Sequence, residues 1–265
     1  MTTATLFDMK EMQTYIQQHL DEPLTLTHLA RYASYSPFHF SRLFKEATGL
    51  SPQYYVSALR LQKAKELLLQ TNLKIRDIGL EIGQQSLGTF TTRFTDKVGV
   101  TPSQFRQSSE DTQELFSVLQ AFNDWTHHNA ALTTEGVVHG TINSSAPFQG
   151  CILIGLFAKP IPEGLPLYGT LLPSTGSFCF THVKPGLYYL MATSVTWGMG
   201  AMDVLLPQTT LRAWSKEPIV VTPFEPVPPQ TLTLIQPDQG DPPILISIPV
   251  LMKTFLARSQ TYSNF

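Results

Sequence analysis

The apolar positions of the first hundred residues fall at steps of three and four. Leu6, Met9, Met12, Ile16 and Leu20 line one face of a helix over 6–20, the spacing of an amphipathic helix, and Pro23 ends it. Thr25 is placed to cap a short helix over 27–33, Ser34–Tyr35–Ser36 breaks the pattern, and a second helix begins at Pro37 and stops at Gly49. Pro in a first helical turn lacks an N–H that would have had no intrahelical partner, and Gly is a common terminator. Ser51-Pro52 then opens a helix over 53–70 with Tyr54, Ala58, Leu61, Ala64 and Leu68 as its stripe, a rod of roughly 27 Å at 1.5 Å per residue.

The pattern then recurs. A short helix over 75–83, a polar break at 84–86 and a helix over 87–98 ending at Gly99 repeat the earlier order, and Thr101-Pro102 opens a short final helix. SerArgLeuPheLysGluAlaThrGlyLeuSerPro (41–52) lies over ThrArgPheThrAspLysValGlyValThrPro (92–102). Both run Arg, aromatic, Lys, Gly, Ser/Thr-Pro, so two helix-turn-helix units about 50 residues apart, joined by one long helix, are the economical reading. A polar stretch from 107 precedes a connecting helix carrying Leu115, Val118, Leu119, Phe122 and Trp125.

From Gly136 the helical period disappears. Short apolar segments separated by Gly and Pro predict strands at 137–142, 151–157, 168–172, 177–181, 187–194, 219–221, 230–235 and 244–248, and a last helical turn or two at 252–258. The fold expected is an all-α double helix-turn-helix domain (1–108), a connecting helix or linker (109–134) and an antiparallel β-sandwich (135–265).

Composition sharpens this division. Residues 1–106 carry 12 Lys/Arg and 9 Asp/Glu, net +3, and the remainder carries 6 and 11, net −5; 16 of the 20 prolines lie in the second part. The two halves therefore have different jobs, although +3 is far from a basic footprint for nucleic acid. Apolar runs are too short to span a bilayer and the N-terminus lacks the pattern of a secretion signal. With Cys151 and Cys179 as the only cysteines, a cytoplasmic protein with reduced, buried thiols is expected.

Residues 7–106 resemble the DNA-binding domain of the AraC/XylS family of bacterial transcription regulators. The carriers are LeuThrHisLeuAla (26–30), TyrSerProPheHisPheSerArgLeuPheLys (35–45), GlyLeuSerProGlnTyrTyr (49–55), ArgLeuGlnLysAlaLysGluLeuLeu (60–68), IleArgAspIleGly (75–79) and ValGlyValThrProSerGlnPheArg (98–106), in family order. The resemblance implies double-stranded DNA as partner and RNA polymerase beside it. In the first recognition helix it implies base contact by Phe38, Ser41 and Arg42, with Ser36 and His39 alongside and Lys45 on phosphate. Arg42 has the fork for a bidentate pair with guanine. A competing reading packs Phe38 and His39 against the neighbouring helix.

The second unit departs from the family pattern. Gln84 follows Gly83 where Phe is usual, Gly88 lies inside the helix, and Thr92 matches Arg42, with Arg93 one step round. Readout there falls to Ser86, Leu87, Thr89, Thr92 and Arg93, so the first unit is expected to dominate affinity. This domain precedes the rest of the chain, the reverse of the family's usual order.

Residues 136–198 resemble carboxypeptidase regulatory-like, or prealbumin-like, β-sandwich modules, through GlyValValHisGlyThrIle (136–142), GlyCysIleLeuIleGlyLeuPhe (150–157) and ThrGlySerPheCysPheThrHisValLysProGlyLeuTyrTyrLeuMetAla (175–192). Phe178 and Phe180 would point inward and Pro185-Gly186 would make a hairpin turn. The resemblance implies binding or scaffolding, without an activity. Trp197, Met199 and Met202 around two glycines, with Trp214, form a candidate apolar loop for a small apolar effector or a homodimer contact. The alternatives are a loop folded over the sandwich end and a pure protein-interaction module. No catalytic set, cofactor or metal site is expected: His127 and His128 are adjacent, pointing to different sides of a helix, with no third ligand spaced to help.

Overall fold

The computed structural model describes residues 8–84, 86–122, 125, 136–215, 217–238 and 241–262. His127 and His128, and most of the linker, lie outside them. Seven helices come first: α1 (Met9–Gln18), α2 (Leu26–Tyr32), α3 (Pro37–Thr48), α4 (Pro52–Gln70), α5 (Ile75–Glu81), α6 (Leu87–Val98) and α7 (Pro102–Gln120). Six of the seven starts are set by side-chain caps, α5 having none. Asp8, Thr25, Ser36, Ser51, Ser86 and Thr101 each accept a hydrogen bond from a backbone N–H of the first turn, satisfying donors the helix leaves open. Gly49 and Gly99 end α3 and α6 at φ 74° and 88°, the left-handed conformation that Gly adopts without a Cβ penalty.

The repeat is built on a register of 50 residues. Phe40, Phe44 and Tyr55 pack in the first unit, with ring centroids 5.7 and 5.4 Å apart. Phe90, Phe94 and Phe105 pack in the second, at 5.8 and 5.7 Å. All six are fully buried. Their tilted and edge-on geometry adds about 0.5–1.5 kcal/mol per pair beyond area burial.

The strand region holds β1 (Val138–Ser144), β2 (Gly150–Phe157), β3 (Tyr168–Leu172), β4 (Gly176–Phe180), β5 (Gly186–Thr196), the short helix α8 (Ala201–Leu205), β6 (Arg212–Trp214), β7 (Ile219–Val221), β8 (Gln230–Leu234) and α9 (Ile248–Tyr262). One sheet runs β4-β1-β8; the other runs β3-β2-β5-β6, with β7 also pairing β5. Phe178 and Phe180 do point into the core between them, with Val138, Leu190 and Leu232.

The strand region is antiparallel as expected, apart from β1 and β8, which pair in parallel. Three expectations are corrected. Pro185-Gly186 makes no hairpin, because β4 pairs β1 while β5 pairs β2 in the other sheet; the chain crosses the core there. Residues 244–248 form no ladder. The Leu245 and Ile246 N–H groups donate to the Pro162 carbonyl and that of Ser247 to Val98, so their backbone is satisfied by a loop and a helix end. The tail is 15 residues of helix, an apolar IleProValLeuMet start having masked its period.

Two signals were missed as well. β6 was unpredicted, and the Gly-rich stretch after Trp197 contains α8, whose Gly200 N–H is held by the Asp203 carboxylate at 3.2 Å. Cys151 is buried and Cys179 half-buried.

The short final helix and the connecting helix are one: α7 runs unbroken for 19 residues. Phe105 sits in the helical core, and Leu115, Phe116 and Leu119 pack with α9 on the outer face of the second sheet. β2 is therefore buried on both faces along its whole length, which is why it reads as a continuous apolar run. The two parts share a core, since Ile161, Leu205 and Leu245 pack among the helical residues.

Candidate nucleic-acid interface and its mount

The N-terminal turns of α3 and α6 are open to solvent. Phe38 is 83% exposed, which removes the reading that it packs against a neighbouring helix. His39 is half-buried, with its ring 5.1 Å from that of Tyr35 in the turn before α3. Ser41 is half-buried, and Arg42 and Lys45 are exposed. Arg42 meets Glu46 one turn on, at a long 3.8 Å, so the guanidinium is only loosely held. Ser36 caps α3 through its hydroxyl, which accepts from the His39 N–H at 3.3 Å.

On α6, Leu87, Gly88, Thr89, Thr92 and Arg93 are exposed. Ser86 occupies the place of Ser36, accepting from the Thr89 N–H at 3.4 Å. The register of 50 puts Thr92 where α3 has Arg42 and Gly88 where it has Phe38. Arg93 is turned aside and donates to Gln84 Oε1 at 3.3 Å.

Residues 29–108 match a helix-turn-helix domain family. An uncharacterized HTH-type transcriptional regulator, YobQ, of Bacillus subtilis is 39% identical over 94 residues, 36% of this chain and 39% of that protein. The Tn10 TetD protein of Escherichia coli is 37% identical over 100 residues, 38% of this chain and 72% of that protein. The chain belongs to the AraC/XylS family. A solved AraC-type regulator from Chromobacterium violaceum is also similar, at 32% identity over 38% of this chain and 89% of that one, with a TM-score of 0.37. The match spans roughly a third to a half of the length of most curated relatives.

In this AraC/XylS chain the second part mounts the first at the far ends of its recognition helices. A Cβ on Gly49 would lie 2.9 Å from Pro160, and one on Gly99 3.1 Å from Ile246. The Gly164 N–H donates to the Lys97 carbonyl at 2.7 Å and the Ser247 N–H to that of Val98 at 2.9 Å, satisfying carbonyls that end α6. Glu163, 8% exposed, accepts from Lys97 Nζ at 2.6 Å and Lys159 Nζ at 3.1 Å, and from the Tyr54 hydroxyl. One carboxylate thus ties α4 and α6 to the sandwich loop. The hydrogen bond to Tyr54, then that to Glu163, raises the Lys159 pKa.

Lys65, on the long joining helix, is fully buried at the same junction. It donates to the Ile244 carbonyl at 2.8 Å and lies 5.6 Å from the centroid of the Phe105 ring. Burial pulls its pKa down to about 7. The sequence gives no hint of this site, since Lys65 sits inside a run of good helix formers like any surface lysine.

The four residues expected to line an effector site are not brought together. The Trp197 ring packs 5.1 Å from Phe116, Met199 joins the same cluster, and Met202 is exposed on α8. Trp214 instead lines a cavity of about 480 Å³ between the outer face of the second sheet, the 241–248 segment and the last turn of α3. Among the described residues no helix is long and apolar enough to cross a membrane, and no cluster of His, Cys, Asp or Glu could hold a metal ion.

Proposed function

We propose that the chain is a sequence-specific transcription regulator that binds double-stranded DNA, with α3 and α6 in successive major grooves about 34 Å apart. The observation that carries this reading is that the described contacts of these helices with the second part lie at their C-terminal ends, at Gly49 and at Asp96–Gly99. Their N-terminal turns stay exposed, and those are the turns that present side chains to base edges. The first unit supplies most of the affinity, because Phe38 and Arg42 have Gly88 and Thr92 as counterparts. The protein works in the cytoplasm on the nucleoid, beside RNA polymerase, and its second part senses a small apolar effector or joins two copies.

Selection from random DNA followed by footprinting tests the reading. Enrichment of a site with two protected faces one helical turn apart, the stronger under the first unit, is expected. Recovery of no sequence above the starting library would end it.

A second reading makes the sandwich a pure protein-interaction module without a ligand. It is favoured by the exposure of Phe224, Val220 and Leu187, at 91, 61 and 49%, of which Leu187 and Val220 are opposite each other on β5 and β7. Patches of this kind mark contact surfaces. Sedimentation of the full chain and of Phe224→Ser, with mass detection of co-purified small molecules, separates the module from effector sensing: self-association lost in the variant and no co-purified small molecule support the module.

A further inference from the structure

Residues 159–164 of the strand part touch both helix-turn-helix units at once. They follow β2, which is paired with β3 on one edge and β5 on the other, so the loop issues from the middle of a sheet. Pro160 lies against Gly49 at the end of α3, 2.9 Å from where a Cβ would stand. Further along, the Gly164 N–H donates to the Lys97 carbonyl at 2.7 Å, and a Cβ on Gly164 would lie 3.1 Å from the Asp96 carbonyl. Between them Ile161 is fully buried in the helical core, and the Pro162 carbonyl accepts from the Leu245 and Ile246 N–H groups at 3.0 and 3.1 Å. The chain from Pro160 to Gly164 spans at most roughly 14 Å. The ends of α3 and α6 therefore stand on one short, braced foot.

The foot is charged as well as packed. Glu163 Oε1 accepts from Lys97 on α6, from Lys159 of the loop and from the Tyr54 hydroxyl at the start of α4. Lys97 Nζ also donates to the Tyr54 oxygen at 2.7 Å, and the two ammonium groups lie 5.2 and 4.8 Å from the centroid of the Tyr54 ring. The Glu163 side chain is 8% exposed, and charge-assisted bonds are strong where water is excluded. The end of α6, the start of the joining helix and the loop thus meet on one oxygen.

The length of the recognition helices amplifies motion at this foot. Each has 12 residues, about 18 Å at 1.5 Å per residue. A tilt of one unit by about 10° carries its exposed N-terminal turn by about 3 Å, close to the roughly 3.4 Å between successive base pairs. A foot that holds to a few degrees admits one separation of the two turns. A foot slackened by about 10° admits the neighbouring one as well.

We propose that the 159–164 loop is a spacer for the DNA interface, in which Pro160 and Glu163 are positioning residues that restrict the chain to targets with one separation between the two half-sites. This rests on the DNA-binding reading and adds to it a specificity that no base contact supplies.

Fluorescence-anisotropy titrations of the full chain test the proposal on three kinds of DNA. These are the site recovered by selection, the same site with one base pair added or removed between its two protected faces, and the first half-site alone. In the wild type each change of length weakens binding at least about tenfold. In Glu163→Gln and in Pro160→Gly that weakening falls below about threefold, while the half-site alone binds within about twofold of wild type. Pro160→Gly decides the matter if Glu163→Gln melts early. Equal binding of all lengths by the wild type overturns the proposal. So does a wild-type ratio retained in either folded variant, which would assign the spacing to the joining helix, or a loss on the half-site as large as on the full site. Each of these leaves the DNA reading standing, whereas recovery of no DNA ends that reading and this one with it.

Discussion

Arg42 and Thr92 occupy one position of the repeat, and under the proposed function they offer DNA different chemistry. Arg42 is exposed and held only by a 3.8 Å approach to Glu46, a surface pair of little worth, so its fork is free for a base. Arg42→Ala is expected to weaken a selected site by about 1–3 kcal/mol and relax specificity at one base pair; Thr92→Ala should cost less. Gel-shift titrations on single-base variants measure both, and equal losses would refute the asymmetry. Lys65 acts at the same scale on stability. Its folded pKa of about 7 lies below the unfolded value of about 10.4. The unfolded chain therefore binds more protons between these values, and this group's contribution to stability falls as pH drops from the upper one toward 7. The slope is at most about 1.4 kcal/mol per pH unit. Urea unfolding between about pH 7.5 and 9 should show that slope in the wild type and a flatter profile in Lys65→Met. Identical profiles would mean that Lys65 stays charged in the folded protein.

At the scale of the element, two glycines predict opposite outcomes for the same substitution. Gly88 stands in the first turn of α6, and an added Cβ would meet nothing closer than Ser86 Oγ at 4.0 Å. Gly88→Ala should stabilise the chain by about 0.4–1 kcal/mol, chiefly by restricting the unfolded state. Gly49 ends α3 at φ 74° with Pro160 against it. Gly49→Ala should destabilise by about 1–2 kcal/mol from left-handed strain alone, and by more if Pro160 cannot move. Thermal melts under one condition give both signs; a stabilised Gly49→Ala would mean that α3 ends otherwise. The cap of α2 and the stops of α3 and α6 were legible because Thr25, Gly49 and Gly99 act on their own backbone within a turn or two. Residues 244–248 were misread because an apolar run bounded by Pro fits a buried strand and a buried extended segment equally. Only the partners of its N–H groups distinguish them.

For the whole molecule, Glu163 is the joint. Glu163→Gln keeps the size of the side chain but weakens charge-assisted bonds to Lys97 and Lys159, which should cost about 1–3 kcal/mol. Hydrogen exchange should quicken in the last turn of α6 and the loop around Gly164, while α2 and the first sheet keep their protection. Unchanged exchange at α6 would show that Glu163 does not hold the two parts together. This joint, the cavity beside Trp214 and the buried Lys65 all pair groups far apart in sequence, such as Lys97 with Glu163 and Lys65 with Ile244. By itself the sequence determined the local order: two helical units, their caps, the exposed polar face of each recognition helix and most strands, since these follow from periodicity and turn chemistry over a few residues. Tertiary structure alone decided how the sandwich crosses from sheet to sheet, where the 241–262 tail lies and which residues line the cavity. The reason is physical: a side chain's local pattern specifies that it will be buried, but the partner that buries it is chosen by packing across the whole chain.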